Sequence, residues 1–131
     1  MLFRSGRALT RVSGASEVYF EGLNTYNEKS KQERLGVTQF TVKQRGTVSA
    51  ETAYEMAAGL LATGNCDFAV ATTGVAGPKP DEKGNPLGLC YIAVGTREQI
   101  FINRYQLSGD RDTISETAIN LALFLAYKEL K

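Results

Sequence analysis

Apolar and polar positions alternate along this chain in two rhythms, one helical and one strand-like, and the switches between them mark out its elements. Leu2, Phe3, Ala8, Leu9 and Val12 fall at helical spacing with no capping signal before them, so they read as the back half of an amphipathic helix ended by Ser13-Gly14-Ala15-Ser16. Residues 18–26, V-Y-F-E-G-L-N-T-Y, read as a strand that stops in the polar run N-E-K-S-K-Q-E-R. Asn27 is placed to cap a helix over 28–35, and Gly36 suits the left-handed turn that would end it. V-T-Q-F-T-V-K, from residue 37, alternates like a strand but is short and isolated, and the pattern leaves its type open. Ser49 then caps a helix in which Glu51 meets the positive dipole end and Ala53, Met56, Ala57 and Leu60 form one stripe.

Gly64-Asn65 closes that helix, and residues 67–72 form a near-continuous apolar run of the kind buried on both faces. It stops in T-T-G-V-A-G-P. Residues 78–86, P-K-P-D-E-K-G-N-P, hold all three prolines and read as a mobile polar excursion that either lies over a site or is simply solvated, with 79–85 read as mainly solvated surface. Residues 87–94 and 100–107 are strand-like and separated by G-T-R-E-Q, which predicts a hairpin. Ile114, Ala118, Leu121, Ala122 and Leu125 predict a long terminal helix. The order of elements predicts a three-layer α/β/α sandwich: a mixed sheet with helices on both faces, in a single domain spanning 1–131. A ligand would sit at the strand ends, where loops 26–31, 72–78 and 108–111 converge.

Composition narrows the functional classes. With 131 residues, 43% hydrophobic and 22% charged, the chain suits one domain with one core. Fifteen basic against fourteen acidic residues leave no global field to attract nucleic acid or an anionic membrane, so neither is expected as a partner. The absence of histidine excludes Ser-His and Cys-His catalysis within the chain, and His-based zinc sites with them. Cys66 and Cys90 form no C-x-x-C and no disulfide framework, and read as buried free thiols. The amino terminus has no long apolar stretch, which points to the cytoplasm.

The glycine-rich turn is the first candidate for chemistry. Amides at the end of a buried strand, with no side chain at Gly74 or Gly77 to block approach, suit an anionic or carbonyl-bearing ligand, although the same spelling also serves as a plain tight turn.

Several ordered blocks carry a resemblance. S-G-A-S-E-V-Y-F, N-T-Y-N-E-K-S-K-Q-E-R-L-G-V, G-T-V-S-A-E-T-A-Y-E-M-A, T-G-V-A-G-P, P-L-G-L-C-Y-I-A-V and S-G-D-R-D cover essentially the whole chain. In sequence and spacing they resemble the C-terminal domain of CinA-type competence/damage-inducible proteins, whose stand-alone form is nicotinamide-nucleotide amidohydrolase. The resemblance implies a domain that hydrolyses the carboxamide of nicotinamide mononucleotide to nicotinate mononucleotide and ammonia, with no metal or other cofactor. It also implies a serine nucleophile assisted by tyrosine and lysine, which match Tyr26 and Lys31 here, although N-E-K-S between them departs from the family's block.

Physical chemistry is compatible with those roles. A lysine becomes a usable base when burial or a neighbouring cation lowers its pKa from about 10.4, and a helix amino end works in the same direction. Tyr26 would relay or donate a proton to the leaving group. Amides of Thr73, Gly74, Val75, Ala76 and Gly77 would stabilise charge or bind the nucleotide, and Arg111 would fork to the phosphate.

One departure bears on activity. The family's nucleophile lies in an A-E-S-C-T-G-G type loop upstream of the segment that Val12-Ser13-Gly14-Ala15-Ser16 resembles, and that loop is absent from these residues. Ser5, the nearby serine, falls inside the predicted helix rather than at its mouth. The expectation is therefore an amidohydrolase domain incomplete at its amino end and inactive as it stands. The alternative is a non-catalytic nucleotide-binding or assembly module of a CinA-like protein. A missing neighbouring strand would open a sheet edge to pairing between copies, a route to a homo-oligomer.

Overall fold

The computed structural model describes residues 4–131. Helix α1 spans Arg4–Thr10 and a 3-10 turn follows at Ala15–Glu17; Leu2 and Phe3 of the predicted amphipathic face lie outside the described residues. Residues 18–26 form no strand, contrary to the alternation of their side chains. The reason is that a strand exists only by its partner's hydrogen bonds. No ladder forms here among the described residues, and Val18, Phe20 and Tyr26 stay 89%, 61% and 69% exposed.

Helix α2, Glu28–Leu35, forms where predicted: Asn27 accepts from the Ser30 amide at 2.8 Å, and Gly36 closes it at φ 71°. The ambiguous segment is a helix, α3, Gln39–Arg45. Its start is tied from a distance: Thr38 caps the Thr41 amide at 3.1 Å, while the Glu55 carboxylate accepts from the Thr38 amide at 2.9 Å and from the Thr41 hydroxyl. Helix α4, Ala50–Ala62, begins at the Ser49 cap and buries Ala53, Met56, Ala57 and Leu61. Gly59 lets it approach α2 closely, since a Cβ there would lie 1.8 Å from the Leu35 carbonyl oxygen.

Three strands follow: β1, Ala69–Gly74; β2, Leu89–Gly95; and β3, Ile100–Gln106. They lie in the order β1-β2-β3, with Ala71 opposite Ala93 and Ala93 opposite Ile102. Every pairing is antiparallel, so the sheet of the described residues is not mixed. Residues 75–88 contain no helix, and a chain that returns without a crossover helix pairs antiparallel. The β2–β3 hairpin is as expected, with the Thr96 amide donating to the Gln99 carbonyl at 2.9 Å.

The layers follow from strand alternation. Ala69, Ala71 and Ala93 on one face meet α4, and their small side chains let the helix lie close. Cys90, Ile92 and Val94 on the other face meet Ala122 and Leu125 of helix α5, Arg111–Leu130. Ile92 and Val94 are wholly buried, each contributing about 1.5–3 kcal/mol of transfer free energy. The molecule is thus a three-layer α/β/α domain, with β1 and α5 beginning or ending at one rim.

Candidate functional site

That rim is built by hydrogen bonds between distant segments. At the end of β1, the Thr73 hydroxyl donates to the Thr47 carbonyl at 2.6 Å. The turn carrying Thr47 is fixed in turn by Ser49 and Thr52, whose hydroxyls donate to the Gly46 carbonyl at 3.1 and 2.7 Å. Val75 packs with Val48 and Leu89 as a small apolar floor. The glycines here are required by packing. At Gly77, φ is 91° and the side-chain position is filled by Leu87, whose Cδ1 would lie 2.0 Å from a Cβ; at Gly74 that position abuts the Leu89 carbonyl oxygen at 3.0 Å. The Val75 amide is also engaged, donating to the Leu89 carbonyl at 2.9 Å.

Arg111 joins the three predicted loops. One guanidinium nitrogen donates to the Gly77 carbonyl at 2.6 Å and the other to the Tyr26 hydroxyl at 3.1 Å. It starts α5 behind the Asp110 cap, whose carboxylate accepts from the Thr113 amide at 2.8 Å and is held below its ordinary pKa chiefly by that bond. Lys31 is buried and its ammonium donates to the carbonyl of Thr25, the residue before Tyr26. Burial pushes the Lys31 pKa down, the direction a general base needs.

Tyr26, Gly74, Val75, Ala76, Gly77 and Arg111 line one cleft of about 610 Å³, within the usual size of a small-molecule site. Lys31 and Thr73 are not in its wall: the Lys31 ammonium is tied to the Thr25 carbonyl, and Thr73 braces the adjacent turn. Two further walls were not legible as such. Gly46, Thr47 and Val48 form one, and residues 79–83 the other. The segment read as mainly solvated is therefore part of the cleft. Its order comes from Asp81, whose carboxylate accepts from the Lys83 amide at 3.0 Å, the Asn85 amide at 2.8 Å and the Asn85 side-chain amide at 2.8 Å. The signal for it was the Asp81 to Asn85 spacing, an Asx-type loop brace.

Ser5 lies exposed in α1. A smaller hollow of about 390 Å³ lies between Thr10 and Tyr19, with no charged residue in its lining among the described residues. Cys90 is buried, its thiol pushed up to about 11 by desolvation, whereas Cys66 is half-buried. Among the described residues, no helix is long and apolar enough to cross a membrane.

Comparison with known proteins gives a consistent result. A competence-damage inducible protein of Thermoanaerobacter is 38% identical over 124 residues, covering 95% of this chain and 30% of its own length. A CinA-like protein of Leptospira biflexa is 37% identical over 129 residues, again covering 96% of this chain and 30% of the relative. The chain thus spans about a third of the length of the curated relatives it matches. Among solved structures, the competence damage-inducible protein A of Klebsiella pneumoniae superimposes with a TM-score of 0.94 at 29% identity, over 98% of this chain and 80% of that one. The competence/damage inducible protein of Agrobacterium tumefaciens gives 0.93 at 31%, over 99% and 80%. The profile of the CinA C-terminal domain matches residues 5–130, nearly the whole chain, which therefore belongs to the CinA C-terminal domain family.

Proposed function

We propose that the cleft binds nicotinamide mononucleotide and that the fold serves hydrolysis of its carboxamide. The observation that carries this reading is the Arg111 fork, which brings a cation and a phenol to the same cleft as the glycine-rich turn. A phosphate is the ligand group best matched to a guanidinium at a helix amino end. In the reaction, a nucleophile adds to the carboxamide carbon, the C–N bond breaks, ammonia leaves with the proton it gains, and water then cleaves the acyl–nucleophile bond to release the carboxylate and restore the nucleophile. Tyr26, which lines the cleft, would supply a proton to the departing nitrogen, and Lys31, held on the Thr25 carbonyl outside the cleft wall with its pKa lowered, would act on the nucleophile's proton through Tyr26 rather than by direct contact.

No serine or cysteine lines the cleft among the described residues, and this favours a second reading: a nucleotide-binding module without turnover of its own. The two readings separate in one pair of measurements. Calorimetric titration with nicotinamide mononucleotide is expected to show binding, and Arg111→Ala to weaken it roughly tenfold or more, as loss of a charge-assisted contact does. An ammonia-release assay is expected to show no turnover by the 131 residues and turnover by a version carrying an A-E-S-C-T-G-G type segment in frame. Unchanged affinity in Arg111→Ala would remove the phosphate role, and robust turnover by the 131 residues would remove the need for that segment.

A further inference from the structure

We propose that Lys83 is a positioning residue that clasps the 79–85 loop against the end of α3, and that this clasp sets how tightly a mononucleotide is held. The affinity half rests on the reading of the cleft given above.

The loop is held at two levels. Locally, Asp81 gathers the Lys83 amide, the Asn85 amide and the Asn85 side chain, and the Gly84 amide returns to the Asp81 carbonyl at 3.1 Å. These bonds shape the loop but attach it to nothing else. Attachment to the wall opposite comes from two side chains. The Lys83 ammonium donates to the Lys43 carbonyl at 2.7 Å, across 40 residues, and the Asn85 side chain reaches the Val48 carbonyl at the longer distance of 3.4 Å.

Lys83 is suited to its anchor. Lys43 lies in the last turn of α3, where helix carbonyls lack intrahelical donors and the dipole favours a cation. The slot for its stem exists because Gly46 has no side chain: a Cβ there would lie 3.0 Å from the Lys83 Cγ. The loop so fastened supplies Lys79, Pro80, Asp81, Glu82 and Lys83 itself to the cleft that Arg111 and the glycine-rich turn also line. Without the ammonium, the Asp81 brace would keep the loop's shape while the loop as a unit swings from α3. A wall that must first be brought back costs affinity, because its ordering then falls to the binding step.

The test uses Lys83→Met, which keeps the stem and removes the charge, and Lys83→Arg, which retains a donor. Hydrogen exchange is read on the amides of 79–88, with β1 and β2 amides as internal reference, and affinity by titration with nicotinamide mononucleotide. The proposal expects exchange in 79–88 to rise about tenfold in Lys83→Met with the strands unchanged. It expects the dissociation constant to rise roughly three- to tenfold, the scale of re-ordering a side chain or short loop. Lys83→Arg should restore both in large part, which a mere volume effect would not do. Unchanged exchange in Lys83→Met overturns the clasp. Faster exchange with unchanged affinity overturns its control of binding. If the unaltered chain binds no nicotinamide mononucleotide, the function proposed for the cleft fails, and exchange alone decides for or against the clasp.

Discussion

Gly59→Ala should destabilise this domain, although in most helices the same change is favourable. Alanine gains up to about 1 kcal/mol over glycine inside a helix, and Gly59 lies in the last turn of α4. Against that, the added Cβ would stand 1.8 Å from the Leu35 carbonyl oxygen and 2.7 Å from its carbon. Ordinary carbon–oxygen contacts lie near 3.3 Å, so the helices must part by about 1.5 Å. The obstacle is backbone, which cannot swing aside as a side-chain tip does. Overpacking costs about 1–3 kcal/mol, occasionally more, and a backbone collision belongs at or above the upper end. After the propensity gain, a net loss of about 2–4 kcal/mol remains. At roughly 4 °C per kcal/mol for a chain of this length, Tm falls by about 8–16 °C. Urea denaturation followed by circular dichroism, with a parallel thermal melt, measures it. Because α2 carries Lys31, its displacement should also disturb the Lys31–Thr25 bond and weaken nucleotide binding. A Gly59→Ala protein as stable as the original, or more so, would refute the close approach of α2 and α4.

Two further substitutions probe the site's supports. Thr73→Val keeps the side-chain shape but leaves the Thr47 carbonyl without its donor, so the urea midpoint should fall by an amount equivalent to about 1–3 kcal/mol; a loss below about 0.5 kcal/mol would mean that water replaces the bond. For Lys31, burial lowers the folded-state pKa below 10.5, so between that lowered value and 10.5 the unfolded chain binds more protons and stability rises with pH. Lys31→Met abolishes this slope, and its stability relative to the original should decline as pH climbs through that window. Parallel stability curves for the two proteins would show that Lys31 is not desolvated in the folded state.

What could be read from the sequence was whatever is decided within one turn of chain. Asn27 and Ser49 cap their helices through contacts three residues away, and Gly36 needs only its own φ. Non-local decisions were hidden. Segment 37–44 becomes helical beside Glu55, a carboxylate seventeen residues from Thr38 that secures its first turn. Residues 18–26 have a strand's alternation, but no alternation supplies a partner. The antiparallel sheet likewise turned on the missing crossover between β1 and β2, which polar loop composition did not declare. In the site, the sequence brought Tyr26, the glycine turn and Arg111 to one place, since all three are strand or helix ends. It read the loop from Lys79 to Asn85 as mainly solvated, and most of it is exposed, but polar composition reports contact with water and not the Asp81 brace that also makes the segment a wall.

The Arg111 fork bears on which ligands the cleft would prefer. Its two donors already rest on the Gly77 carbonyl and the Tyr26 hydroxyl. A guanidinium carries further N–H groups, so not every arriving group must displace these acceptors, but one that takes the same forked position exchanges with them. A neutral carbonyl or hydroxyl would replace a partner of its own strength and gain almost nothing. A phosphate brings net charge and would win the exchange. Under the proposed reading, the resting hydrogen bonds would act as a filter: the phosphorylated nucleotide is admitted, while the corresponding nucleoside meets an arginine with no reason to let go.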